Sequence, residues 1–273
     1  MSEIRVSSWN ELNERLYEES WDEDIQRFRP SLAYRGMGDA AHDLTSSLGR
    51  LGDRCADVER PMLRNFRKYA HLDAVQSDSE WDWLAVGQHH GLPTRLMDWT
   101  HSPYVALHFA THRVDAFDRD GIVWCVNYVQ AHELLPDPLR KLLADERSDL
   151  FTTEMLTRAA ASMRDFDALA DDPFVVFFEP PSLDERIVNQ YGLFSLMPDP
   201  DARIDQWLAA HPELVRRIVV PAELKWELRD KLDQANVTER VLFPGLDGLA
   251  TWLKRYYSPR EARRPPDARA LDE

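Results

Sequence analysis

Apolar positions along the chain follow two patterns, helical spacing in some windows and continuous runs in others, and the two alternate irregularly. Ser8-Trp9-Asn10-Glu11 forms a capping box, with Trp9, Leu12 and Leu16 on one face, and predicts a helix over 9–19. The acidic run 18–24 reads as a solvated face or a linker. Ser31 to Gly36 predicts a short strand ending at glycine, followed by a turn over 36–39. Segment 44–52 is small and polar and reads as loop. A helix is expected over 57–72, with Pro61 in its first turn and Leu63, Phe66 and Tyr69-Ala70 on one face. Ser79 starts another that runs to about 90 and stops at Gly91. A loop over 92–101 follows; Ser102 as N-cap and Pro103 at the first helical position then open a helix to about 113.

In the second half, GIVWCVN (121–127) and FVVFF (174–178) are continuous apolar runs of the buried-strand type. Between them lies a helical region over 130–170, interrupted near Pro136 and Pro138. Ser182-Leu183-Asp184-Glu185 reads as the capping box of a short helix to Tyr191, stopped by Gly192. A strand over 193–196, a helix around Trp207, a strand over 218–220 and a helix over 222–234 follow. Pro244 opens a last helix through Trp252 to Tyr256. Segment 258–273 holds three prolines and no apolar periodicity, which predicts a disordered polar tail. The expected architecture is α+β: a single globular domain over 1–257 with mixed small sheets surrounded by helices.

Composition narrows the function. The chain has 273 residues, 44% of them hydrophobic, enough for a substantial core. The formal charge of −15 disfavours general nucleic-acid binding, though it leaves room for a local basic pocket. No apolar run is long enough for a membrane span, and the polar N-terminus lacks the apolar core of a signal peptide. Cys55 and Cys125 make neither a metal clip nor a disulfide framework, so a reducing cytoplasm is expected. No glycine pattern of the dinucleotide-fold or phosphate-loop type is present.

The densest chemistry lies in 88–110. Thr94, Arg95, Asp98, Thr100 and Ser102 supply polar groups, some of which should line a site, with Arg95 and Asp98 spaced to pair across a turn. Ser102 also has a local duty as N-cap. His89 and His90 sit in a last helical turn, either as acid or base or as caps. His108 and His112 have zinc-compatible spacing, but Phe109 stands where a metalloprotease helix has glutamate and no third ligand clusters nearby, so no metal is expected. Upstream, Arg35 closes a strand beside Gly36 and is placed either to grip a phosphate or carboxylate or to make a structural ion pair. Downstream, Arg186 and Gln190 share a helix face, and Glu179, Asp184 and Glu185 are spare carboxylates.

Tyr34-Arg35-Gly36, the block QHHGLPTRLMDWTHSPYVALHFA (88–110), Arg186 to Phe194 and the closing FPGLDGLATWL together resemble the FRG domain family of bacteria and phages, across 9–256. A weaker similarity is to arginine-type mono-ADP-ribosyltransferases, which carry a Tyr-Arg-Gly strand, a Ser-Thr-Ser-like segment leading into a helix, and a late catalytic glutamate. Tyr34-Arg35-Gly36 resembles the first element, and Asp98 to Ser102 leading to Phe109 the second. The resemblance implies a split sheet and NAD as substrate. Arg35 would hold a phosphate between Tyr34 and Gly36, and Thr100 or Ser102 would support the nicotinamide ribose. Gln190 or Glu179 would take the third place, although no Glu-x-Glu or Gln-x-Glu strand is present. It further implies an intracellular effector, a toxin or antiphage defence protein, acting on a protein acceptor or held by an antitoxin. The alternative is a non-catalytic module that binds a nucleotide or a protein.

Overall fold

A computed structural model describes residues 2–70, 79–182 and 184–260. Its strands are β1 (Ser2–Arg5), β2 (Trp21–Asp22), β3 (Arg27–Phe28), β4 (Leu32–Met37), β5 (Met97–Thr100), β6 (Gly121–Asn127), β7 (Phe151–Thr152), β8 (Val176–Glu179), β9 (Gly192–Leu196) and β10 (Val215–Val220). The helices are α1 (Trp9–Tyr17), α2 (Cys55–Ala70), α3 (Glu80–His89), α4 (Pro103–Thr111), α5 (Tyr128–Glu133), α6 (Asp137–Glu146), α7 (Thr153–Ala159), α8 (Met163–Asp167), α9 (Glu185–Gln190), α10 (Ile204–Ala210), α11 (Lys225–Gln234), α12 (Glu239–Leu242) and α13 (Leu246–Tyr256). The architecture is α+β. Eight strands join one mixed sheet in the order β1-β10-β6-β4-β5-β9-β8-β7, and β2 with β3 makes a small hairpin out of the acidic run.

Central strands of this sheet are covered on both faces, which explains their continuous apolar runs. In β6, Ile122, Trp124 and Val126 enter one core with Trp99, Phe177 and Trp207, while Val123 and Cys125 enter another with Leu12, Leu16, Leu107 and Leu228. A third core packs α2, α3, α6, α7 and α8 against β7, β8 and β9 through Leu63, Trp81, Leu139, Phe151, Phe166 and Phe178.

The sheet is nearly divided at its middle. Strand β4 pairs with β6 along all six residues, Leu32 with Asn127 through Met37 with Ile122. Strand β5 pairs with β9 over four. Between β4 and β5, however, the ladder is a single bridge, Tyr34 with Thr100. Beyond that bridge the two strands diverge.

Three local expectations change. The expected loop 92–101 contains β5, because Met97 and Trp99 enter a core while Asp98 between them stays exposed, a strand alternation too short to read beside Pro93. Helix α9 is capped by Asp184, not Ser182: the Asp184 carboxylate accepts from the Arg186 and Ile187 backbone N–H groups at 2.9 and 3.2 Å. Helix α2 starts at Cys55, so Pro61 lies inside the helix and not in its first turn. The expected end of that helix near 72, and the tail beyond 260, lie outside the described residues.

Candidate functional site

The divergence of β4 and β5 opens a cavity of about 360 Å³, walled by the second half of β4, the segment 38–50, β5, the last turns of α3 and α4, and α9 with the start of β9. Gly36 makes this arrangement possible. A Cβ there would lie 1.6 Å from the Ala106 carbonyl oxygen, so only glycine lets α4 pack directly on β4. The same contact holds the end of α4, with Phe109 and His112, against the cavity.

Arg35 forms part of the wall. Its Nη1 donates to the Asp98 carbonyl at 2.5 Å, bridging the two strands where the ladder has ended. Its Nε is buried with no hydrogen-bond partner, and it makes no ion pair with any described residue. Burial lowers the guanidinium pKa; Asp98 opposes that shift and Arg50 adds to it. The Asp98 carboxylate is exposed on the same wall and accepts from Gln88 Nε2 at 2.8 Å. Gln88 is itself oriented by the Thr94 hydroxyl, which donates to its Oε1 at 2.6 Å.

Arginines dominate the rim. The lining includes Arg35, Arg50, Arg113, Arg119 and Arg186 against only two carboxylates, Asp39 and Asp98. Arg113 is taken by Asp115, and Arg119 by Asp39 and Asp118. Arg119 accordingly draws the Asp39 pKa below its usual range, with help from the Ala41 N–H. Arg50 and Arg186 make no ion pair among the described residues; Arg186 lies over the Phe243 ring at 5.1 Å. His112 also lines the cavity; burial lowers its pKa although its Nδ1 contacts the Phe109 carbonyl at 2.8 Å, so it is neutral near pH 7.

The sequence candidates therefore divide. Arg35, Gly36, His89, Asp98, Thr100, Arg186 and Gln190 all line the cavity, as does the backbone-flanking Tyr34. The Tyr34 ring is fully buried, and its hydroxyl donates to the Leu16 carbonyl at 3.0 Å. His89 Nε2 lies 2.6 Å from Asp184 Oδ2 and ties α3 to the α9 cap. Thr100 and Gln190 are committed to the scaffold: the Thr100 hydroxyl donates to the Gln190 carbonyl at 2.7 Å and accepts from the Ser102 N–H at 3.0 Å, while Gln190 Nε2 donates to the Leu242 carbonyl at 2.9 Å.

Five candidates stand outside the cavity lining. Arg95 does not pair with Asp98. It is 5% exposed, donates from Nε to Glu59 at 2.8 Å, and also binds Asp167 and the Pro198 carbonyl. Thr94 is fully buried and holds Gln88, and Ser102 caps α4. His90 is exposed and stacks edge-on with His89. Glu179 is half exposed and faces His101 at 3.5 Å, which lowers its pKa. His108 accepts at Nδ1 from Arg229 in a buried cluster, and no group of three metal-ligating side chains is found among the described residues. Sequence reading missed Arg50, Gln88, Arg113, Arg119 and Asp39 as wall residues; a run of unremarkable polar positions in separate segments offered no signal, although Gly36-Met37-Gly38-Asp39 marked the turn that carries one of them.

No helix among the described residues is long and apolar enough to cross a membrane. No curated protein and no solved structure matches the chain. A family model does match, over residues 30–119, a segment that supplies β4, β5, α4 and so most of one wall of the cavity: that segment matches the FRG domain.

Proposed function

We propose that the cleft binds a phosphate-bearing nucleotide, with NAD the first ligand to test, and that the chain is an ADP-ribosyltransferase-like module whose binding function stands ahead of any catalysis. The observation that carries this reading is Arg35: a half-buried guanidinium at the wall of a cavity, its Nε buried without a partner, in no ion pair with a described residue and near only the exposed Asp98 carboxylate. A partly desolvated charge that no ion pair holds is costly, and a ligand phosphate would offset that cost while using the planar donor fork of arginine. The cavity volume of about 360 Å³ falls in the range of small-molecule sites, about 300–1,000 Å³.

Cleavage of the nicotinamide–ribose bond is the second reading, and the Asp98 carboxylate favours it. An oxocarbenium-like transition state needs a negative charge beside the ribose. Glu179 stands outside the lining and the Gln190 amide is spent on Leu242, which leaves Asp98, steered by Gln88, as the carboxylate beside Arg35. Titration calorimetry with NAD, paired with an assay for released nicotinamide, tests both readings. Saturable binding abolished by Arg35→Gln supports the nucleotide site. Nicotinamide release lost in Asp98→Asn supports catalysis. Unchanged binding in Arg35→Gln removes the proposed site.

A further inference from the structure

Within the nucleotide reading, on which this inference rests, the charge of the wall goes further than a preference for phosphate. The lining carries five arginines against two aspartates, and once Arg113 is paired with Asp115 and Arg119 with Asp39 and Asp118, three arginines face the single carboxylate Asp98, in a chain whose formal charge is −15. One of the two carboxylates, Asp39, is already paired with Arg119. Arg35, Arg50 and Arg186 remain without an ion-pair partner among the described residues. A ligand that neutralises this wall needs two or more net negative charges at close quarters.

NAD meets that demand poorly, because its cationic nicotinamide ring cancels one of its two phosphate charges. A nucleoside diphosphate has no such ring. Size points the same way: at about 360 Å³ the cavity is near the lower end for ligand sites, which favours a ligand without a second aromatic base over a full dinucleotide. Phe109, half-buried at the end of α4, offers an aromatic surface on the same wall for the base.

We infer that the cleft selects nucleoside diphosphates lacking a cationic base, the ADP and ADP-ribose type, over NAD, with Arg50 and Arg186 joining Arg35 as the selecting groups. Calorimetric titration of the whole chain with ADP, ADP-ribose, NAD and inorganic pyrophosphate tests this. ADP-ribose is expected to bind on the order of tenfold more tightly than NAD at low salt, the effect of one unit charge at close range, and ADP, with a further charge on its terminal phosphate, at least as tightly. The ratio should shrink as salt rises and the Debye length falls to about 8 Å at physiological ionic strength. Arg50→Gln and Arg186→Gln, both surface-accessible changes that leave the cores untouched, should each weaken ADP more than NAD. NAD binding as tightly as ADP, or variants that weaken both equally, would overturn the selectivity and leave the nucleotide site standing. No binding of ADP, ADP-ribose, NAD or pyrophosphate would overturn the nucleotide reading itself.

Discussion

Two arginines flank the central join of the sheet, and their surroundings could hardly differ more. Arg95, two residues before β5, is wrapped by Glu59, Asp167 and the Pro198 carbonyl in a closed set of charge-assisted hydrogen bonds. Arg35, in β4, holds one backbone carbonyl and makes no ion pair, with only the exposed Asp98 carboxylate near its charge. Similar side chains, one buried and one half-buried, thus do opposite things. The first locks α2 and α8 to the strand entrance, with every donor answered from within the chain. The second leaves its charge to be answered from outside. An arginine that is buried and saturated is scaffold; one that is half-buried and unsaturated at a cavity wall is an invitation to an anion.

The largest test of this contrast removes the saturated partner. Arg95→Met should destabilise the fold by about 3–5 kcal/mol, because the buried Glu59 would lose its cation and Asp167 would keep only the longer contact to Arg60. The midpoint of urea unfolding reports it, and a change under 1 kcal/mol would erase the distinction between the two arginines.

A second saturated cluster sharpens the comparison by pH. Arg255 binds Glu239 and Asp233, joining α11, α12 and α13. Burial would raise the Glu239 pKa, but the Arg255 hydrogen bonds and charge outweigh it and hold the value at about 2, below the usual 4.5. A lowered carboxylate pKa contributes stability that is complete above about 4.5 and is lost as pH falls towards 2. The loss over that window is on the order of 3 kcal/mol, and Glu239→Gln should flatten this part of the stability–pH curve.

The unsaturated side is expected to behave in reverse. Arg35→Gln should change stability by about 0.5 kcal/mol or less, since little is paired to it, while lowering affinity for a phosphate ligand by 10- to 100-fold, about 1.4–2.8 kcal/mol. Heat-induced unfolding with and without nucleotide separates the two quantities. The smallest effect belongs to Gln190. Its amide holds the Leu242 carbonyl, so Gln190→Leu should cost about 1 kcal/mol of stability and leave nucleotide affinity within about twofold. A large loss of affinity would make Gln190 a ligand group after all.

Much of the frame was legible in the chain because its signals are local. Ser8 and Ser102 cap the helices that follow them, the apolar run 121–127 is buried strand, and of the run 174–178 the last three residues are strand with Phe174 and Val175 buried just before it. Strand β5 was hidden because its four residues alternate over too short a span, and its place is set by partners from distant parts of the chain. Arg35 and Arg95 sat in equally suggestive contexts, and nothing near Arg95 announces Glu59 or Asp167, 36 and 72 positions away. Saturation is a property of long-range contacts. The spread of wall arginines over three distant segments was unreadable for the same reason.

The single bridge between Tyr34 and Thr100 has a mechanical consequence. The eight strands amount to two plates of four, and beyond the core they share, their backbones join through one rung and the arm of Arg35 reaching to Asp98. A molecule seated against both Arg35 and the Asp98 strand would act as a rivet. It would supply the missing rungs, so occupancy would be felt as rigidity across the whole sheet and read out as slowed amide exchange in strands that never touch it.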